Sequence, residues 1–431
     1  MSRTRELDRR HVFHSWSAQN RVDPMVLTRA EGAYVWDENG DRYLDFTSQL
    51  VYTNLGHGHP GVVAAIQEQA ARLCTVAPQF ANDRRAEAAR MIAERAPEGM
   101  DRVFFTNGGA DAVEHAVRMA RLHTGRPKVL AAYRSYHGGT QTAINLTGDW
   151  RRVPNDTATA GVVHFFGPYL YRSEFHATTP QEESERALAH LRRTVEAEGP
   201  ATIAAIVLET IPGTAGVLMP PPGYLAGVRE LCDEHGILLV CDEVMAGFGR
   251  AGAWLAIDLF GLRPDLITFA KGVNSGYVPL GGVILGDAVA DTFGDRPYPG
   301  GLTYSGHPLA AAAAVATLTA MEEEDVVDRA AALGATVIAP GLADLEKRHA
   351  VIGEVRGTGV FWAVELVADR GTREPLPVAA VAAVAAECRA RGLLPLPNAN
   401  RVHLVPPCTI SDDQACEALD ILDAALARAV R

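Results

Sequence analysis

Three stretches of this chain end in an ionisable side chain at a point where burial alone would not put one. The apolar run 203–208 is followed by Glu209, the run 237–241 by Asp242-Glu243, and the run 266–270 by Lys271. Each run has the length and apolar composition of a buried strand. Isolated charges are expensive to bury, so acids and a lysine gathered at strand ends point to an organised polar site. One such residue alone is more simply a solvated charge or half of a salt bridge. For the set of three, the balance tips towards function.

A fourth run, 103–105, leads into Thr106-Asn107-Gly108-Gly109-Ala110 and then a helical pattern. Small residues at a helix N-terminus let backbone N–H groups approach a phosphate, and the helix dipole favours the anion. Gly-Gly before a helix is often just a turn, so this signal is weak alone. A fifth run, 128–132, leads to Tyr133-Arg134-Ser135-Tyr136-His137-Gly138-Gly139, which sets an aromatic before a glycine pair. Together the parts fit a phosphorylated heteroaromatic cofactor. There is a phosphate cup, an aromatic to stack on the ring, an aspartate for a protonated ring nitrogen and a lysine for an imine. A carboxylate paired with a pyridinium keeps it charged and makes the ring an electron sink. The lysine supplies the Schiff base.

The elements that must position these residues can be read as well. Short apolar runs alternate with amphipathic stretches such as 110–122 and 224–235. That alternation implies a mostly parallel sheet covered by helices on both faces. In open sheets of this kind ligands bind at the carboxyl ends of the strands, where the ionisable residues fall. Upstream, Tyr34-Val35-Trp36 runs into Asp37-Glu38-Asn39-Gly40, a hairpin signal, and Pro60-Gly61 opens a helix reaching about residue 73. After an Ala-rich helix at about 308–324 the pattern changes. Helices at about 327–349, 378–391 and 411–428 then alternate with apolar runs at 360–366 and 402–405. The expected fold is α/β. A large domain spans 61–325, a smaller α+β domain spans 326–431, and the segment 1–60 joins the small domain.

Whole-chain quantities narrow the function classes. A chain of 431 residues is too long for one simple core. The net charge of -12 argues against nucleic acid or an anionic membrane as partner. The six cysteines are scattered without a C-x-x-C pair, which fits free thiols in a reducing compartment. No apolar signal core follows the first ten residues. The longest apolar run, 309–321, falls short of the about 20 residues a bilayer span needs. A cytoplasmic location is expected. His57, His59 and His137 invite a metal reading, but their spacing fits loop turns and no closed ligand set accompanies them, so no metal is expected.

The segment Asp265-Leu266-Ile267-Thr268-Phe269-Ala270-Lys271-Gly272, with Asp242-Glu243-Val244 upstream, resembles the class III aminotransferases, or ω-aminotransferases. These are fold-type I enzymes that use pyridoxal 5′-phosphate. Gly247-Phe248-Gly249-Arg250, Thr303-Tyr304-Ser305-Gly306-His307-Pro308, Tyr136-His137-Gly138 and Gly56-His57-Gly58-His59-Pro60 match too, so the resemblance covers nearly the whole chain. It implies that Lys271 holds the cofactor as a Schiff base and then moves a proton between substrate carbon and cofactor carbon. It implies Asp242 on the ring nitrogen, Val244 and Tyr136 on the two ring faces, and Gly108, Gly109 and Ala110 around the phosphate. His137 and Glu209 join the cofactor contacts. Thr303 would reach the phosphate of the partner subunit, which implies a homodimer, or a tetramer built from it.

Two departures from the family pattern carry information. The family's phosphate cup is usually Ser-Gly-Ser. Here Gly108-Gly109-Ala110 lacks the hydroxyls, so backbone donors must carry more of the binding. Ornithine- and acetylornithine-type members have a Gln where this chain has Met245, which points to members using ω-amino donors with pyruvate or a similar acceptor. Looser signals are similar to taurine–pyruvate and taurine–2-oxoglutarate aminotransferases. They are His14-Ser15-Trp16-Ser17, Phe105-Thr106-Asn107-Gly108-Gly109-Ala110-Asp111, Tyr169-Leu170-Tyr171-Arg172-Ser173-Glu174 and Val405-Pro406-Pro407-Cys408-Thr409. The expected reaction is amino transfer from a taurine-like donor to a keto acid such as pyruvate or 2-oxoglutarate, by a ping-pong mechanism.

Ornithine-type relatives place an Arg where this chain has His403. Arg401 lies two residues earlier, on the same face if the segment is a strand. Arg401, or else Arg172, is the expected anchor for the substrate's carboxylate or sulfonate, since Arg suits multi-oxygen anions. A surface role for Arg401 is the equal alternative. The lysine and aspartate would equally serve a decarboxylase, an aminomutase or a racemase on the same scaffold.

Overall fold

The computed structural model describes residues 2–156 and 160–429. At its centre is a seven-stranded sheet. Its strands are β1 (Arg102–Thr106), β2 (Lys128–Ala132), β3 (Val162–Phe165), β4 (Ile203–Glu209), β5 (Leu238–Asp242), β6 (Leu266–Phe269) and β7 (Gly281–Leu285). The spatial order is β1-β7-β6-β5-β4-β2-β3. β2 to β6 pair in parallel, and β7 runs antiparallel to both its neighbours, β6 and β1. β7 was not legible in the sequence: it opens on Gly281-Gly282, which by composition reads as a turn.

β4, β5 and β6 are buried at every position, which is why they read as unbroken apolar runs. Alternate side chains serve opposite faces. Ala205, Val207 and Val240 pack with Ala112, Val113 and Ala116 of the helix Gly109–Thr124. Ile206, Leu239 and Ile267 face the other way, towards the helices Tyr224–His235 and Pro308–Glu323. The sheet is thus clothed on both sides, as in a doubly wound fold.

The N-terminal segment and the C-terminal region share a second sheet. Leu27–Glu31, Tyr34–Asp37 and Arg42–Asp45 form a meander, and Leu393–Leu394 pairs in parallel with its last strand. A third sheet joins Ile352–Thr358, Phe361–Asp369, Arg401–Leu404 and Leu396–Asn398. Among the described residues one helix, Val326–Arg348, is long and apolar enough by composition to cross a bilayer. Val327, Ala330, Leu333, Ile338, Leu342 and Leu345 form its buried face at helical spacing. It widens to a π-helix over Gly334–Ile338, just ahead of Pro340, whose nitrogen has no proton to give to the ladder.

Candidate active site

Strand register brings the ionisable ends together. Glu209 closes β4 opposite Asp242 at the end of β5, and Asp242 stands opposite Thr268 on β6, just before Lys271. A cavity of about 470 Å³ opens at this edge. It is lined by Lys271, Asp242 and Glu209, by Tyr136, His137 and Val244, and by Gly108, Gly109 and Ala110.

Lys271 has φ 47°, a left-handed conformation that is costly for a residue with a side chain. It is half-buried, and the surface it keeps is open to the cavity. Burial pulls its pKa down; Asp242 and Glu209 oppose this, while Arg151 and Arg250 act in the same direction as burial. A lysine held towards its neutral form is a nucleophile and a base.

Asp242 is anchored at both oxygens. Its Oδ1 accepts from the Val244 N–H at 3.1 Å, and its Oδ2 lies 2.8 Å from His137 Nδ1. Burial disfavours a charged His137 ring, but the hydrogen bond and charge of Asp242 outweigh it and push the histidine's pKa up. A carboxylate fixed in this way can face a protonated ring nitrogen in the cavity. Glu209 holds two loops at once. Its Oε1 accepts from Tyr136 N–H and its Oε2 from Gly213 N–H, each at 2.8 Å. Burial raises its pKa, with His137 opposing and Asp242 reinforcing the rise.

The glycine cup is shaped by close approach. A Cβ on Gly109 would lie 2.8 Å from Val244 Cγ1, and one on Gly138, which has φ 135°, would lie 2.4 Å from Ala110 Cβ. Val244 and the Tyr136 loop therefore close onto the first turn of the helix Gly109–Thr124. That turn has N–H groups with no partner inside the helix, so it can face an anion.

Not every expected residue reaches the cavity. Arg172 Nε bonds to Glu365 Oε1 at 2.6 Å, and Arg172 is absent from the cavity lining. Arg401 stands opposite Glu365 in the register of two adjacent strands, and its Cδ lies 2.6 Å from where a Cβ on Gly216 would sit. The turn 213–216 presents Thr214 to the cavity and packs Gly216 against Arg401, which does not line the cavity either. His403 is buried and its Nε2 lies 3.1 Å from Gly213 O. Burial, with help from Arg401, lowers its pKa to about 4, so at neutral pH it carries no charge. Thr303 is exposed and does not line the cavity of its own chain. Met245 does line it, with Sδ 4.0 Å from Thr214 Oγ1.

A cation absent from the sequence reading stands near the site. Arg151 Cζ lies 3.5 Å from the centre of the Tyr136 ring, and its guanidinium is bonded to Asp149. With Phe13, Trp16 and Trp150 it lines a second cavity of about 900 Å³, which shares Tyr136 and Gly139 with the first. In sequence Arg151 is one charge in an ordinary loop. Its place over Tyr136 brings together the loops on either side of the helix Gln141–Leu146.

The family profile described as "Aminotransferase class-III" matches residues 16–426. The taurine–pyruvate aminotransferase of Rhodobacter capsulatus is 36% identical over 98% of this chain and 96% of its own length. The putrescine–pyruvate aminotransferase of Pseudomonas aeruginosa is 33% identical over 95% of this chain and 92% of its own. A crystal structure of taurine:2-oxoglutarate aminotransferase from Bifidobacterium kashiwanohense, in complex with PLP and glutamate, superposes with a TM-score of 0.95. It is 40% identical and covers 98% of this chain and 97% of that one. These matches run nearly end to end and include a PLP-bound relative, and the cavity presents the lysine and carboxylate such a cofactor requires. The chain belongs to the class III aminotransferases, enzymes that use pyridoxal 5′-phosphate to move an amino group from an amino donor to a keto acid.

Proposed function

We propose that the donor is a taurine-like ω-amino acid and the acceptor a small keto acid such as pyruvate or 2-oxoglutarate, exchanged in a ping-pong cycle. The observation that carries the reading is Lys271, open to the cavity one strand away from the doubly anchored Asp242. The names of the relatives support the donor class. Arg151 supports it too: it lines the adjoining cavity over Tyr136, and its guanidinium, bonded to Asp149, is of the type that takes a sulfonate or carboxylate. In this reading Arg151 takes precedence over Arg401 and Arg172 as the anion anchor.

When bound, pyridoxal phosphate supplies a carbonyl carbon that accepts and returns the amino group, and a ring that withdraws electrons. Lys271 holds it covalently between turnovers. With its amine free, Lys271 Nζ would serve as the base that takes a proton from the amine-bearing carbon and returns it within the site. Asp242 would face the ring nitrogen, with His137 and the Val244 N–H keeping it oriented. Val244 and Tyr136 hold the ring from its two faces, and Glu209 fixes the Tyr136 loop. Backbone N–H groups at Gly108, Gly109 and Ala110 take the phosphate. Thr303, exposed on its own chain, serves the partner's phosphate in a homodimer. In this reading residues 61–325 bind the cofactor, and 326–431 with 1–60 form the smaller domain. The six free cysteines are in keeping with a cytoplasmic enzyme.

The test is an absorbance spectrum of the purified holoenzyme, before taurine, after taurine and then after pyruvate. Loss of the cofactor's visible band with taurine and its return with pyruvate is the expected result. A band that taurine leaves unchanged would reject the donor while keeping the cofactor. A Lys271→Ala variant that kept the wild-type band would reject the role given to Lys271.

A further inference from the structure

Behind the catalytic edge lies a buried polar hub built around Arg250. This arginine is completely buried, and its hydrogen bonds among the described residues go to neutral groups, with Asp45 acting on it only through its charge. Its Nη2 donates to Asn54 Oδ1 at 2.8 Å and to Ser48 Oγ at 3.1 Å. Its Nη1 donates to the carbonyls of Pro406 and Val360. One side chain thus reaches the N-terminal segment, the third sheet and the loop after Leu404. A buried cation without a hydrogen-bonded carboxylate is costly, so the neutral groups gathered around it are the place to look for its role.

The hub ends at Lys271. Asn54, oriented by Arg250, donates from Nδ2 to Phe248 O at 2.6 Å, and the Cys408 N–H donates to Asn54 O at 2.7 Å. A Cβ added to Gly272 would lie 2.3 Å from Asn54 Nδ2 and 3.1 Å from Phe248 Cβ. Asn54 is therefore packed directly on the residue after Lys271. Residues with side chains adopt positive φ around it, among them Ser48 (42°), with Gln49 (62°) and Val51 (63°) beside it, Phe248 (57°), Lys271 (47°) and Ser275 (54°). Strain of this kind persists only where surrounding contacts over-determine it. Arg250 bonds Ser48, and Asn54 bonds Phe248 and packs on Gly272 beside Lys271. Ser275 is tied in as well, since its Oγ accepts from the Leu55 N–H at 3.0 Å.

We propose that Arg250 is a positioning residue for Lys271, acting through Asn54 to hold the Gly272 turn that presents the lysine to the cavity. The inference rests on Lys271 being the cofactor-bearing lysine, which the Lys271→Ala spectrum tests separately. Arg250 also lies close enough to favour the neutral amine, in the same direction as burial.

The experiment is a double-mutant cycle on the holoenzyme with Arg250→Lys and Asn54→Ala, read by the pH titration of the cofactor's visible band and by kcat and KM. Each single change is expected to move the titration midpoint and lower kcat about tenfold, with KM changing less than about threefold. The double variant should be no worse than Asn54→Ala alone, because Arg250 acts through Asn54. Multiplying effects would overturn the proposal. So would an unmoved midpoint and kcat, even if thermal stability fell. If Arg250→Lys does not fold, Gly272→Ala takes its place in the cycle. The added methyl should displace Asn54 and lower kcat, and Asn54→Ala should restore room and recover part of the loss. Equal loss in both backgrounds would sink the idea.

Discussion

His137 Nδ1 and Asp242 Oδ2 lie 2.8 Å apart, and the other ring nitrogen, Nε2, is buried without a partner among the described residues. The ring's hydrogen bond goes to the aspartate that faces the cavity. Removing it should leave the aspartate in place, held by the Val244 N–H, but less well oriented. His137→Phe is expected to lower kcat about ten- to a hundredfold, while Asp242→Asn costs on the order of 10²–10³. Single-turnover kinetics with a saturating donor would measure both. An unimpaired His137→Phe would mean that the pair does not orient the carboxylate.

The cup without hydroxyls makes a prediction of the opposite sign. Ala110 sits in the first turn of the helix Gly109–Thr124, and its Cβ faces the Gly138 loop and the cavity lining. Ala110→Ser adds a donor where the family usually has one. One added hydrogen bond of about 1 kcal/mol should tighten pyridoxal phosphate binding roughly fivefold. Equilibrium dialysis of the apoprotein against the cofactor would show it. Unchanged or weaker binding would mean that the backbone N–H groups already satisfy the phosphate.

Anion recognition can be separated by pairing two variants with two donors. Arg151→Ala should raise the KM for taurine about tenfold or more and leave a diamine donor, which has no anionic end, nearly unaffected. Arg401→Ala, behind the turn 213–216, should change either KM less than about twofold. The reverse pattern in steady-state kinetics would return the anchor to Arg401.

What could be read in the sequence was whatever a local pattern encodes. Strands buried on both faces show as apolar runs, and the residues that end them, Glu209, Asp242 and Lys271, fall at one edge because parallel register leaves no other choice. Gly108 and Gly109 were visible as small residues ahead of a helix. Contacts between distant segments left no such mark. The His137–Asp242 bond, Arg151 over Tyr136 and the Arg250–Asn54 hub each join side chains whose separation in the chain carries no periodicity. β7 was hidden because its glycines serve close packing while its composition signals a turn. For Arg401, strand alternation gave the face correctly, alongside His403, but could not reveal that the turn 213–216 covers it.

His403 makes the fold itself sensitive to acid. Its ring is buried, its Nε2 hydrogen-bonds to Gly213 O, and its pKa falls from 6.5 to about 4, chiefly by burial and then by the charge of Arg401. The unfolded chain would bind a proton near pH 6.5, whereas the folded chain resists it until about pH 4. Between those values the unfolded state holds more protons, so stability rises with pH there and is lost as pH falls. The contribution is complete above pH 6.5 and gone below about 4, on the order of 3 kcal/mol in all. His403→Gln can keep a donor for Gly213 O without a titrating group. Urea midpoints compared between pH 7 and pH 4 should fall further in the wild type than in His403→Gln. The difference should appear mainly below pH 6.5. Parallel losses in the two proteins would show that the ring is protonated in the folded state as readily as in the unfolded one.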